Sequence, residues 1–368
     1  MANRPPSLDP NVHTIDDLKR LGSAKLPLMY REYYNEGSMD LLTIHENETA
    51  FNRYKIRPRA LVDVADIDTS AEIFGCGVSS PLGISPSAMH KLAHPDGEVA
   101  TSQAAANQGV AMALSSYSTC SLEDVAQEGR GKGNPYAIQM CVLKDRAITV
   151  QLLKRAEAQG YKALFLSVDN AVLGKRLNEY RNSFALPDDM SWPNILSHSS
   201  DTSEGVEYDA SLNWETTIPW LRQHTNLQIW LKGVNRPDDV ERAIKHNVDG
   251  ILISNHGGRQ LDGMPATIDV LRECAPVARG RIPLAIDGGI RRGSDIFKAL
   301  AMGASHCFVG RVAIWGLAYN GREGVELGLK ILLQELRITM ALAGCRSIKE
   351  IDSSYLSVLR PDGILSKL

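Results

Sequence analysis

The chain has 368 residues, 43% of them hydrophobic, with 40 Lys and Arg against 43 Asp and Glu for a formal charge of −3. This length accommodates one large α/β domain or two ordinary ones, and the balanced charge excludes the basic footprint of a nucleic-acid or anionic-membrane binder. Cys76, Cys120, Cys141, Cys274, Cys307 and Cys345 form no C-x-x-C pair or metal-ligand spacing, so they read as reduced thiols and no metal is expected.

Residues 14–60 read as a helical extension. Thr14 can cap a helix whose first turn carries Asp16 and Asp17, and Leu18, Leu21 and Leu26 give intermittent apolar contacts. Tyr30 and Tyr34 are expected to pack against the main body. From about residue 80 apolar runs alternate with helix-like stretches. The runs are 81–85, 109–115, 136–141, 163–168, 228–231, 250–254, 282–286 and 305–309, and the helices 97–108, 146–159, 236–247 and 292–302 fall between them. Eight strands in this rhythm predict a (β/α)8 TIM barrel, with a doubly wound sheet as the alternative. The whole chain, 1–368, is expected to be one domain, with an extension at 14–79, a barrel core at 80–345 and a tail at 346–368.

Polar stops mark the end of every run: Ser87, Ser115-Ser116, Gln139, Asp169, Lys232, Asn255-His256, Asp287 and Gly310-Arg311. Barrel enzymes build their sites from the carboxyl ends of all their strands, whereas a doubly wound sheet concentrates its site in one crevice. The sixth run passes directly into Ser254-Asn255-His256-Gly257-Gly258-Arg259, which puts a histidine and an arginine at one strand end. After the last two runs, Gly288-Gly289-Ile290-Arg291 and Gly310-Arg311 read as a phosphate site, while Asp287 is no phosphate ligand and suits a hydroxyl. Glycines let backbone N–H groups approach an anion, and arginines neutralise it. No G-x-G-x-x-G fingerprint stands where the first strand would need it, which argues against dinucleotide binding.

The connection 178–213 is rich in Ser, Asp, Pro and Asn, including the run from Ser197 to Ser203. Loops this long are lids or disordered segments, and this one lacks the apolar face of a membrane anchor. No apolar run reaches spanning length, and the opening residues do not resemble a signal peptide. The chain closes on Ser366-Lys367-Leu368 after a loose-looking Arg360-Pro361-Asp362-Gly363. That tripeptide is read by the peroxisomal import receptor, so a peroxisomal address is expected.

From about Thr14 to the end, the sequence resembles the FMN-dependent 2-hydroxy acid oxidases and dehydrogenases, the family of glycolate and lactate oxidases. The likeness is carried by the motifs 254–262 and 287–293 and by residues 74–89, which end in Pro86-Ser87-Ala88-Met89. It implies FMN as cofactor, with its phosphate on Gly289, Arg291, Gly310 and Arg311. It further implies Ser87 and Ala88 near flavin N5, Ser115, Gln139 and Ser167 on the polar edge of the ring, and Lys232 facing N1 and O2. Pro86, Ser254, Asp287, Gly288 and Ile290 complete the implied cofactor set. Arg176, Arg259 and Tyr33 would hold a substrate carboxylate, and His256, oriented by Asp169, would be the base. Whether His256 would take the α-proton or the hydroxyl proton stays open at this level.

The sequence also departs from the family pattern. Cys141 and Leu143 stand where small-acid oxidases carry tyrosines, Tyr117 replaces a tryptophan, and Asn170-Ala171 replace a threonine-proline pair. A thiol cannot reproduce a phenol's hydrogen-bonding reach. The expected substrate is therefore a carboxylic acid bulkier than glycolate or differently functionalised, including one with nitrogen on the oxidised carbon. Cys141 is counted among the substrate-binding positions. O2 is the expected acceptor, giving hydrogen peroxide, and the resemblance implies a homotetramer. A flavin-binding relative with little turnover is the alternative.

Overall fold

The computed structural model describes residues 6–195 and 207–368. Three short strands precede the main sheet: β1 (Tyr54–Ile56) and a hairpin of β2 (Ala71–Ile73) and β3 (Cys76–Val78). Each predicted run then supplies one strand: β4 (Leu82–Ile84), β5 (Ala111–Ser115), β6 (Tyr136–Met140), β7 (Ala163–Ser167), β8 (Gln228–Val234), β9 (Gly250–Ile253), β10 (Leu284–Asp287) and β11 (His306–Val309). These eight pair in parallel, and β11 returns to β4, closing a barrel with no free edge. The fold is the (β/α)8 barrel.

Strands buried on both faces explain why the sequence shows continuous apolar runs instead of alternation. Ile138, Leu164, Leu166, Ile229, Leu231, Ile251 and Ile253 join the outer core beneath the helices. The opposite faces fill the interior, where Ala111, Ala113, Ala137, Ala163 and Ala285 leave room for Phe165, Trp230 and Phe308. Phe74, from the β2–β3 hairpin, plugs this layer, with its ring edge-on at 5.7 Å from Phe165 and 5.3 Å from Trp230. The large rings thus pack the lower barrel and leave its carboxyl-end face to polar residues.

The extension contains helices Ile15–Lys25, Leu28–Asn35 and Leu42–Thr49, and the first begins with a capping box between Thr14 and Asp17. The termini hold more strand than expected. After the broken helix Arg311–Ala343, the chain forms β12 (Leu356–Leu359) and β13 (Leu365–Lys367), which extend β1 into a three-stranded antiparallel sheet. The segment Arg360–Gly363, expected to be loose, is the turn of this hairpin, with Gly363 N–H donating to Arg360 O at 2.9 Å. The open side of β1 offers backbone partners that a short terminal segment would otherwise find only in water.

The long connection opens with the helix Leu177–Arg181 and is described to Ile195, whereas 196–206, with the run Ser197–Ser203, lies outside the described residues. It returns against the end of β6, where Asp209 N–H donates to Val142 O at 3.0 Å and Tyr208 bridges to Leu143.

Candidate active site

The carboxyl ends of the strands surround a cavity of about 390 Å³. Just beyond β9, His256 takes a left-handed backbone conformation with φ 56°, rare for a residue with a side chain and held here inside the turn that Gly258 N–H closes on Asn255 O at 3.0 Å. Its backbone N–H donates to Ser254 Oγ at 3.1 Å. The ring Nδ1 lies 3.1 and 3.2 Å from the two carboxylate oxygens of Asp169, which follows β7. With Nδ1 donating to the carboxylate, Nε2 keeps a lone pair and can act as a base. Burial lowers the His256 pKa below the usual value, Asp169 opposes this, and Lys232 adds to the lowering. Burial works to raise Asp169, but His256 and Lys232 outweigh it and hold the carboxyl below its ordinary range. A neutral imidazole thus sits beside an ionised carboxylate.

Gly233 makes this pairing possible. The register of β8 against β9 shifts between Lys232 and Val234, a bulge whose extra residue is Gly233 with φ +108°. A Cβ there would lie 2.6 Å from Asp169 Cγ. Lys232, on the same bulge, is buried with Nζ 3.1 Å from Ser254 Oγ and 3.8 Å from Asp287 Oδ2.

Beside His256 two guanidinium groups converge. Arg176 Nη1 is 3.4 Å, and Arg259 Nη2 3.2 Å, from one oxygen of Glu179, three residues after Arg176 on the lid helix. Arg259 also donates to Tyr33 O and lies 4.6 Å from the Tyr33 ring centroid. Burial and the neighbouring Arg176 lower its pKa. Tyr33 itself stacks on Phe184 with ring centroids 4.4 Å apart.

At the far end, Arg291 donates to Glu48 at 2.8 Å and to Ile290 O at 2.8 Å, yet its buried Nε has no partner among the described residues. Arg311 donates to the carbonyls of Tyr34, Gly257 and Glu36 at 2.7, 3.0 and 2.9 Å. Burial and the adjacent Arg259 and Arg291 push its pKa down to about 9. Gly289 meets the Asn47 carbonyl so closely that a Cβ would lie 1.9 Å from its oxygen. Asp287 accepts from Ser85 Oγ at 2.6 Å, and its buried Oδ1 is unpartnered. Mutually repelling buried arginines, an orphaned guanidinium N–H and an orphaned carboxylate oxygen fit a ligand bearing a phosphate and hydroxyl groups.

Tyr33, Pro86, Ser87, Ala88, Ser115, Gln139, Cys141, Arg176, Lys232, His256, Arg259, Asp287, Gly288, Gly289, Ile290, Arg291, Gly310 and Arg311 all line this one cavity. Three of the expected residues stand behind the wall instead. Asp169 backs His256, Ser254 backs both Lys232 and His256, and Ser167 Oγ accepts from Gln139 Nε2 at 3.0 Å. Tyr34, expected to pack, donates its hydroxyl to Met89 O at 2.6 Å in a buried position. The sequence reading missed Ser85, Glu179, Gly233 and the aromatic wall of Phe184, Trp192 and Tyr208. Glu179 had a readable signal, an acid one helical turn beyond Arg176.

The FMN-dependent dehydrogenase family profile matches residues 22–358. Oxidase FUB9 of Fusarium oxysporum f. sp. lycopersici is 50% identical over 369 residues, covering 98% of this chain and 95% of the relative. Human 2-hydroxyacid oxidase 1 is 42% identical over 364 residues, covering 94% and 97%. Among solved structures, a mandelate oxidase variant with (S)-mandelic acid superposes with a TM-score of 0.87 at 34% identity, covering 97% of this chain and all of the other.

Proposed function

The chain belongs to the FMN-dependent dehydrogenase family as an oxidoreductase of the 2-hydroxy acid oxidase type, and from that premise we propose that it oxidises an α-substituted carboxylate bulkier than glycolate, with O2 reduced to hydrogen peroxide. The observation that carries the substrate class is the arginine pair beside a histidine base. Arg176 and Arg259 already share a carboxylate oxygen, that of Glu179, at 3.4 and 3.2 Å. A substrate carboxylate presents the same chemistry to the same donors.

Bound FMN supplies the two-electron acceptor. Gly289, Arg291, Gly310 and Arg311 would hold its phosphate, Asp287 a hydroxyl of its chain, and Ser115 and Gln139, the latter braced by Ser167, the polar edge of its ring. Ser87 and Ala88 would meet the ring through the backbone, and Lys232 would place a fixed positive charge where electron density gathers on reduction. The arginine pair and Tyr33 fix the acid by its carboxylate. His256 Nε2 removes one proton from the α-carbon or from its hydroxyl or amino group, and the imidazolium so formed is stabilised by the adjacent Asp169 carboxylate.

A bulkier substrate is supported by Cys141 and Leu143, both buried where small-acid relatives are expected to carry phenols. Oxygen as acceptor is supported by the oxidase names of the similar proteins. Peroxisomal residence belongs to the same proposal, supported by similarity at 43% identity to an Arabidopsis thaliana protein named peroxisomal (S)-2-hydroxyacid oxidase. So does homotetramer formation, which light scattering reads directly.

The deciding experiment is anaerobic titration of the purified yellow protein with 2-hydroxy, 2-amino and cyclic imino acids, followed by air. Bleaching by one class, with colour and peroxide returning in air, is the expected result. Equal turnover of glycolate and every larger acid would refute the bulkier substrate. A flavin bleached by no acid would favour a binding role without turnover.

A further inference from the structure

Beyond one wall of the catalytic cavity lies a second chamber of about 260 Å³, between β7, β8 and the helix Trp214–His224. Its lining is largely apolar, with Val142, Leu166, Leu231, Val234 and Ile218 among the contributors. The partition between the two spaces is thin: Cys141, Asn170 and Tyr208 face both. Asn170 Nδ2 donates to the Cys141 thiol, and Gln139 Nε2 lies 3.6 Å from the same sulfur. Such contacts to sulfur are weak, so a passing group can displace them at small cost. No Lys or Arg lines the chamber among the described residues, and its two acids, Asp209 and Asp239, are paired with Arg146 and Arg242, so the chamber offers no partner for a second carboxylate.

We propose that this chamber is the side-chain subsite for the substrate, a monocarboxylate whose apolar substituent passes Cys141 while its carboxylate stays on Arg176 and Arg259. The inference rests on the acid-oxidase reading above and gives the bulkier substrate a place and a chemistry. An apolar cavity of about 150 Å³ holds benzene. The larger space here therefore takes a phenyl ring or an alkyl chain of about five carbons.

The test compares the holoenzyme on 2-hydroxy acids from lactate to 2-hydroxyoctanoate. kcat/KM should rise about fourfold per added methylene until the chamber is full. Ala210→Trp and Leu212→Trp fill the chamber from residues that do not line the catalytic cavity. They should lower kcat/KM for 2-hydroxyoctanoate by about sixtyfold, the effect of three methylenes, and leave lactate within about twofold. Trp214 lines only the chamber, so its fluorescence should respond to 2-oxooctanoate but not to pyruvate, and Trp214→Phe should remove that response. Equal losses on both acids, no loss on either, or an unresponsive Trp214 would overturn the proposal. If no 2-hydroxy, 2-amino or cyclic imino acid of any length is oxidised, the oxidase reading fails separately and the fluorescence titration alone decides the chamber.

Discussion

Replacing Gly233 by alanine should disable the active site without altering any group that meets the substrate. The new Cβ would stand 2.6 Å from Asp169 Cγ and 2.9 Å from Oδ2, on a backbone held at φ +108°. Non-bonded carbon atoms prefer a separation of roughly 3.5–4.0 Å, so Asp169 must retreat by about 1 Å. The 3.1 and 3.2 Å contacts to His256 Nδ1 then pass out of hydrogen-bond range. A hydrogen bond to a charged group contributes about 1.5–3 kcal/mol, which predicts a loss of roughly 10- to 150-fold in kcat/KM. The strained backbone adds about 1–2 kcal/mol of destabilisation, a melting-temperature drop of a few degrees. Asp169 raises the His256 pKa, so its withdrawal also moves the acid limb of the kcat/KM profile to lower pH. Stopped-flow bleaching across pH, on protein of measured flavin content, reads all three effects. A fully flavinated variant with the wild-type rate, or one slowed with its acid limb unmoved, would refute the reasoning.

Asp169→Asn should move the acid limb in the same direction. Neutral imidazole is the active form, activity falls as pH drops through the His256 pKa, and burial already holds that pKa below the usual 6.5. The rate should fall by about 10²- to 10⁴-fold, readable in steady-state pH profiles. Arg311→Met should weaken flavin retention by roughly 10- to 150-fold, measured as fluorescence of flavin released on dilution. Glu179→Gln frees the two arginines from a competing carboxylate and should lower KM for the acid by about fivefold, a shift of about 1 kcal/mol. A raised KM would instead make Glu179 the residue that positions them. Phe165→Ala removes a ring from the barrel interior and should cost about 3–5 kcal/mol in denaturant unfolding.

The barrel strands were legible because each is largely buried on both faces and leaves a short, mainly apolar run, whatever its neighbours. The polar residues at their ends were legible for the complementary reason: Lys232 or Asp287 has no place in such a run unless a site requires it. What the sequence hid depends on contacts distant in the chain. Gly233 looks like any strand glycine until the bulge brings it against Asp169. Ser85 reads as the last residue of a strand, and only closure of the barrel brings it to Asp287. The aromatic wall was hidden by spacing, since Phe184, Trp192 and Tyr208 are scattered along the long connection without a strand or helix period to align them. β13 is hidden because its three residues, Leu365–Lys367, carry too short a pattern, and its strand character comes from the partner β12.

The packed floor of the barrel also governs traffic. Phe74, Phe165, Trp230 and Phe308 fill the axis with rings, so nothing travels through the barrel from below. On the oxidase reading proposed above, acid, oxo product, dioxygen and peroxide would all pass by way of the carboxyl-end face, where the cavity lies. A departing product then stands in the path of the arriving oxidant, and an abundant acid can take the vacated place first. Crowding at this doorway would hold back turnover at high acid concentration even with every catalytic group correctly placed.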